Sequence, residues 1–253
     1  MSLSVLVVAR NEERQIAACL DSAAFADEIV VVLDRSTDAT KAIAEAKGAR
    51  VIEGSWPLEG KRRMAGIEAC KSDWIIELDA DERISAELRE ELGSILPVLK
   101  PGHYVIDFHN YVGGVFVRWG WGGYNGVAAK AALFSRGMKS WGEGEVHPQI
   151  TLSGDRGRLT GHIDHYVDDN IEGMYARLNR YTTAAARDVV AKGKIPTARS
   201  TFRRFLSRFM RSYLYMRGYR EGWRGIALAL FAAMYPVLVY LKAREAKDRS
   251  DVR

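Results

Sequence analysis

Cysteine is nearly absent from this chain: Cys19 and Cys70 are the two in 253 residues. Both fall inside helical patterns, so they build neither a disulfide framework nor a metal-ligand cluster, and their use suits a reducing compartment. Proline is scarce too, six residues, and with 47% apolar and 27% charged content this excludes a disordered or fibrous chain. There is no internal repeat or low-complexity segment. The opening Met-Ser-Leu-Ser-Val-Leu-Val-Val-Ala-Arg has no basic leader and no small-residue cleavage site, so it reads as a first core strand rather than a signal peptide. Long hydrophobic runs are lacking as well. Ile226–Leu241 is sixteen residues without a charge, interrupted by Pro236, whereas a membrane span needs about 20.

Charge is present but segregated. Residues 196–253 carry 13 Lys/Arg against 4 Asp/Glu, while residues 1–195 carry 24 against 28. A mildly acidic body thus bears a basic tail, and basic tails meet anionic partners, either nucleic acid or a membrane surface. In that tail Phe202, Phe205, Phe209, Tyr213 and Met216 recur at helical spacing among Arg203, Arg204, Arg208 and Arg211. A basic aromatic helix followed by a short apolar one suits interfacial attachment to a membrane. Packing on the body, or on a second copy in a homodimer, is the other reading.

The first half alternates strand and helix. Strands are predicted at Leu3–Val8, Glu28–Leu33, Arg50–Glu53 and Trp74–Leu78. Helices are predicted at Glu12–Ala24, from a Thr37 or Asp38 cap to Lys47, at Gly60–Cys70, and from a Ser85 cap to just before Pro97. Apolar, unalternating strands separated by helices mean an α/β chain whose mostly parallel sheet is covered on both faces. Ligands of such sheets bind outside the carboxyl ends of the strands. Asn11, Asp34, Asp38, Asp79 and Asp81 all fall at such ends. Residues 101–170, rich in Gly and aromatics (Trp119, Trp121, Tyr124, Trp141), predict strands at Tyr104–Phe108 and Ala131–Phe134 and otherwise loops that shape a pocket. A helix follows over residues 171–193.

The stretch WIIELDADERIS, residues 74–85, drives a buried strand into Asp79, Ala80 and Asp81. Unpaired buried carboxylates are costly, so positive charge is required there. In an extended or turning segment residues i and i+2 point the same way. Two converging carboxylates suit a hard divalent cation that keeps waters and binds substrate phosphates. Alone, the triplet fits a solvated acid pair equally well, and Thr37 and Asp38 serve equally as helix caps.

Taken together, Asn11-Glu12-Glu13 after the first strand, EIVVVLDRSTDAT, GKRRMAG and WIIELDADE resemble the family 2 glycosyltransferases with the GT-A fold. Leu133-Phe134-Ser135-Arg136, Glu145-Val146-His147, His165-Tyr166 and the Gly218–Gly225 turn resemble the lipopolysaccharide-core biosynthesis branch. The resemblance spans nearly the whole chain and is tightest over residues 3–83. It implies a GT-A domain over residues 1–195, with a nucleotide-sugar half at about 1–100 and an acceptor half at about 101–195. A helical, membrane-associating extension would follow over 196–253.

The implied activity is inverting transfer of a hexose from a nucleotide sugar, with a UDP-sugar favoured, to a saccharide or lipid-linked saccharide. Mn²⁺ or Mg²⁺ would be required, the site would be the cytoplasmic face of the inner membrane, and nucleic acid would not be a partner. The resemblance assigns the metal to Asp81 with Asp79 nearby. It places donor contacts at Ala9, Asn11, Glu12, Asp34, Asp38, Asp79 and Ala80, and Lys61 and Arg62, at a helix start, fit diphosphate contacts and solvated surface charge equally well. Glu145, then Glu143, then His147 are the candidate general bases, and His165 would sit on the metal or pin the acceptor loop.

Two departures stand out. Leu33 occupies the register where the family has Asp, leaving the ribose and base contact between Asp34 and Asp38. Pro148 follows His147 where the branch often has Glu. Two other classes compete: a metal-dependent nucleotidyl- or phosphotransferase, which also sets paired acids at strand ends, and a basic-tailed nucleic-acid-binding protein, against which stands the lack of any recognisable nucleic-acid module.

Overall fold

The structure is a computed structural model that describes residues 1–123, 125–142 and 149–251, without the side chains of 250 and 251. Tyr124 and the three candidate bases Glu143, Glu145 and His147 lie outside the described residues. The chain divides into two units, residues 1–109 with 129–165, and residues 110–128 with 166–253.

The first unit is built on the predicted alternation: β1 (Leu3–Ala9), α1 (Ile16–Ser22), β2 (Glu28–Asp34), α2 (Thr40–Ala46), β3 (Arg50–Gly54), α3 (Glu59–Ala69) and β4 (Trp74–Asp79). Then come β5 (Glu82–Ile84), α4 (Ala86–Ile95), β6 (Gly102–Val112), β7 (Val115–Phe116), β8 (Ala129–Ser135), β9 (Lys139–Trp141), β10 (Ile150–Leu152) and β11 (Asp155–Asp168). The nine-stranded sheet runs β3-β2-β1-β4-β8-β6-β11-β5, with β7 on β6. It is parallel across β3, β2, β1 and β4 and antiparallel where β8 joins β4 and β6, and β5 joins β11. The parallel half follows from helical crossovers between buried strands; every residue of β1 is buried. Two apolar layers sandwich it. One carries Ile16, Leu20, Ala44, Leu88 and Leu92 from α1, α2 and α4, and the other Ile67 from α3. Ser85 caps α4 as expected, its Oγ accepting from the Leu88 N–H at 3.1 Å.

The middle of the chain holds more strand than the sequence predicts. β11 runs fourteen residues where loops were expected. Its inward positions Leu159, Gly161 and Ile163 include only two apolar side chains, too few for a strong period-2 signal. Gly161 is there for space: a Cβ on it would lie 2.4 Å from Leu88 Cα.

The second unit is helical: α5 (Ile171–Ala191), α6 (Ala198–Met210), a π-helical turn at Arg211–Tyr215, a 3-10 turn at Gly218–Glu221, and α7 (Trp223–Asp251). The expected division at residue 195 places α5 with the body, but in the structure α5 packs on α7. Lys242 of α7 fastens the two, its Nζ donating to Asn179 O, Asn179 Oδ1, Thr182 Oγ1 and Thr183 Oγ1 at 2.7–2.9 Å.

The expected break at Pro236 does not occur; α7 is one helix of 29 residues through it. A mid-helix proline costs about 3 kcal/mol, and burial of Leu228, Ala229, Ala232, Ala233, Val239 and Ala243 along both halves offsets it. By length and composition α7 could cross a membrane, although 44% of its most apolar window is buried within the unit. On α6 the fully buried residue is Thr201, while Phe202, Leu206 and Met210 form an exposed apolar stripe at i, i+4, i+8.

Candidate active site

Strand register brings the predicted residues to one edge of the first unit. Val8 lies opposite Asp79, Ala9 opposite Leu33, and Asp34 opposite Gly54. Loops after β1 and β2 are stitched together there. Asn11, in the left-handed region at φ 56°, accepts the Thr37 N–H on its Oδ1 at 2.8 Å. The Glu12 N–H donates to Thr40 Oγ1 at 2.8 Å. Asp38 accepts from Thr40 N and Oγ1 and from the Glu13 N–H, so its carboxylate is spent on shaping these loops.

Asp34 is buried at the tip of β2. The Arg35 guanidinium grips it in a fork, at 2.9 and 2.8 Å, and Arg62 lies 3.6 Å away. Arg35, acting first, outweighs burial and holds the Asp34 carboxyl below its usual range. Lys61 is exposed on α3, whereas Arg62 is half-buried; Ala9 and Ala80 are core residues that set backbone position.

The positive charge demanded by the acid triplet comes from three residues that sequence reasoning missed. Arg63, not Lys61 or Arg62, is the buried base of α3. It pairs with Glu77, with Glu59 at 3.0 Å and with Asp79 Oδ1 at 2.9 Å. Lys139 Nζ lies 2.8 Å from Glu77 Oε2. Lys130 Nζ reaches Glu82 at 2.6 Å and Asp79 at 4.0 Å. Burial works against ionisation of Glu77, but Lys139, Arg63 and Lys130 override it and hold the carboxyl down at about 2. For Asp79, burial is likewise overcome by Arg63 and Lys130, which keep the carboxyl far below its usual range. Glu82 goes the other way: burial, then the charges of Asp79 and Asp81, push it up to about 7 against the pull of Lys130. The overlooked signal was Glu77 itself, a carboxylate inside the apolar run of β4, with Arg63 one helical turn after Glu59.

The two aspartates of the triplet therefore face different partners. Asp79 is engaged by Arg63, while Asp81, about one-third exposed, has its Oδ2 3.5 Å from His165 Nε2. Burial opposes protonation of His165, but the contact with Asp81 outweighs it and raises the imidazole. A carboxylate oxygen and an imidazole nitrogen converging at a solvent-open edge fit a divalent cation that must also admit substrate oxygens. Asp81 with His165 is thus the candidate donor pair at this edge, and Asp79, held by Arg63, stands behind it.

The sequence model of Glycosyl transferase family 2 matches residues 4–147, more than half of the chain, with the acid triplet and its cations inside the match and His165 beyond it. The chain belongs to glycosyl transferase family 2. It is therefore a glycosyltransferase, with the GT-A α/β fold and a C-terminal apolar helix. A family member similar to it along its length is an uncharacterized glycosyltransferase of Rickettsia bellii, 26% identical over 96% of this chain and 86% of the relative. Another is the lipopolysaccharide core biosynthesis glycosyltransferase LpsC of Rhizobium meliloti, 26% identical over 96% of this chain and 92% of the relative. Among solved structures, glucosyl-3-phosphoglycerate synthase of Mycobacterium tuberculosis, in complex with Mn²⁺, UDP and glucosyl-3-phosphoglycerate, matches at 24% identity with a TM-score of 0.37. That match covers 44% of each chain and leaves more than half of both unmatched.

Proposed function

We propose that this glycosyltransferase transfers a hexose, with inversion, from a UDP-sugar to a saccharide or lipid-linked saccharide of the cell envelope, in lipopolysaccharide biosynthesis. The observation that carries the donor half is the pairing of Asp81 with His165 at the end of β4, backed by the neutralised group Glu77, Asp79, Arg63, Lys130 and Lys139. Asp81 and His165 would hold Mn²⁺ or Mg²⁺, which when bound supplies positive charge for a diphosphate leaving group. Arg63 and Lys130 fix Asp79, so its carboxylate is preorganised and costs little to position during reaction. Arg62, half-buried beside Asp34, is placed to add a diphosphate contact. Asp34 is the better ribose or base contact than Asp38, because half-exposed Arg35 can swing off it while Asp38 is committed to three bonds. Glu145 is the proposed general base, ahead of Glu143 and His147, taking the proton of the acceptor hydroxyl.

The acceptor half rests on similarity to LpsC and on the second unit. Its exposed stripe of Phe202, Leu206 and Met210, interleaved with Arg203, Arg204 and Arg211, suits peripheral attachment to the anionic cytoplasmic face of the inner membrane. A homodimer through that stripe is the alternative, and an unchanged monomer mass with vesicle binding decides between them. The donor test is calorimetric titration of UDP, GDP, dTDP and CMP, with and without Mn²⁺, on wild type and Asp81→Ala. Mn²⁺-dependent binding of UDP that disappears in the variant is expected. Metal-independent binding, or binding that survives in Asp81→Ala, would refute the assignment. Release of pyrophosphate or orthophosphate rather than UDP would favour the phosphotransferase class.

A further inference from the structure

β11 carries histidine on both of its faces. Successive strand residues alternate sides, so Ile163 and His165 point one way and His162 and Asp164 the other. His165 turns to Asp81. On the opposite face His162 meets His109 of the neighbouring strand β6, the two rings stacked with centroids 3.6 Å apart and planes 27° apart. His162 Nε2 lies 3.4 Å from Asp164 Oδ1. One ligand atom from each of His109, His162 and Asp164 falls within 4.8 Å of the others, and all three residues are half-buried.

We propose that His109, His162 and Asp164 form a binding site for a divalent transition ion of the zinc class, separate from the Asp81 site and independent of the donor reading above. Two observations support it. Asp164 Oδ1 is a buried carboxylate oxygen with no hydrogen-bond partner, a condition that calls for an ion or a water. Its 3.4 Å separation from His162 Nε2 is poor for a hydrogen bond, yet two ligands of a tetrahedral zinc ion stand about 3.3 Å apart, given Zn–N and Zn–O bonds of about 2.0–2.1 Å.

Two imidazole nitrogens and one carboxylate select Zn²⁺, Co²⁺, Ni²⁺ or Cu²⁺ over Mg²⁺. Three protein ligands leave a fourth position for water or an exogenous ligand. The ion would tie β6 to β11, the strand that presents His165.

The test is equilibrium dialysis of the metal-stripped full-length protein against Zn²⁺. Asp81→Ala is expected to retain one bound Zn²⁺. His109→Gln and His162→Gln, each in the Asp81→Ala background, should weaken that binding by at least about tenfold. Co²⁺ should give visible absorption bands that vanish in the same variants. Circular dichroism in EDTA checks that the variants fold, and Asp164→Asn replaces either histidine variant that does not. No zinc bound by Asp81→Ala, or zinc binding unchanged when His109, His162 or Asp164 is replaced, would overturn the proposal.

Discussion

Glu77→Gln is the most informative single change, because Glu77 anchors the cations on which the acid triplet depends. The wild-type carboxyl sits at about 2 against an ordinary 4.5. A depressed folded-state value means stability that is fully present above the unfolded value and lost as pH falls through the folded one. At about 1.4 kcal/mol per pH unit of displacement, the ionised Glu77 contributes about 3 kcal/mol at neutral pH. Removing one member of a buried ionic group gives a similar figure, about 3–5 kcal/mol, since Lys139 would stay buried without its carboxylate and Arg63 would lose one of three. Urea unfolding of wild type and Glu77→Gln should therefore differ by about 3 kcal/mol at pH 7. The gap should be roughly halved near pH 3, where Glu77 of the unfolded chain is protonated while the folded carboxyl is still largely ionised, and should close only as pH falls through about 2. Arg63 would also hold Asp79 less firmly, so Mn²⁺-dependent UDP binding should weaken by about 10–100-fold, as for other residues that orient metal ligands. A gap under about 1 kcal/mol, or one that does not shrink on acidification, would show that the group does not act as an ionic unit.

Other outcomes follow from the same structure. Replacing Phe202, Leu206 and Met210 together by Ser should cost at least about 3 kcal/mol of vesicle affinity, read by co-sedimentation with anionic liposomes; unchanged binding would remove α6 from the membrane contact. Gly161→Ala should destabilise by about 2 kcal/mol or more, because its Cβ meets the Leu88 backbone, and a chemical denaturation midpoint equal to wild type would contradict that packing. Cys70, pushed up to about 12 by burial, and Cys19, fully buried and raised likewise, should resist maleimide at pH 8 and react only on unfolding. Prompt labelling of the native protein would mean that the α1 and α3 layers open readily.

The parallel half of the sheet was legible because β1, β2 and β4 are largely buried on both faces and α2 has a clean stop at Gly48. In the antiparallel half β6 and β8 were legible, at Tyr104–Phe108 and Ala131–Phe134, whereas β5, β9, β10 and β11 were not. β5 is three residues, β9 and β10 are three each, and β11 has a glycine, Gly161, between its inward Leu159 and Ile163. Such strands owe their form to neighbours distant in sequence, which periodicity does not register. Pro236 misled for a related reason: its local cost is fixed, but the packing that offsets it is tertiary. At the site, residues next to strand ends were readable, whereas Lys130 and Lys139 come from β8 and β9, some fifty and sixty residues beyond the triplet.

The chemistry of the triplet depends on that division. Glu77, Asp79, Asp81 and Glu82 are four carboxyl groups within six residues of chain, and unscreened by cations they would repel one another and hold protons. Arg63, Lys130 and Lys139 are bound to three of them: Glu77, Asp79 and Glu82. The acid left over is Asp81, at the edge, with His165 beside it. An acid cluster that the protein has already neutralised binds metal weakly on its own, because net charge at the site governs attraction. One that retains a single outward carboxylate binds a cation best when a diphosphate arrives to share it. Donor and metal should therefore bind with positive cooperativity: saturating UDP should tighten Mn²⁺ in wild type, and by linkage Mn²⁺ should tighten UDP by the same factor. Neutralising the outward carboxylate alone, in Asp81→Asn, should abolish the coupling, while Lys130→Met, which frees Glu82 and loosens Asp79, should tighten Mn²⁺ in the absence of UDP and shrink the factor. Equal Mn²⁺ affinity with and without UDP in wild type would refute this division of labour between the two aspartates.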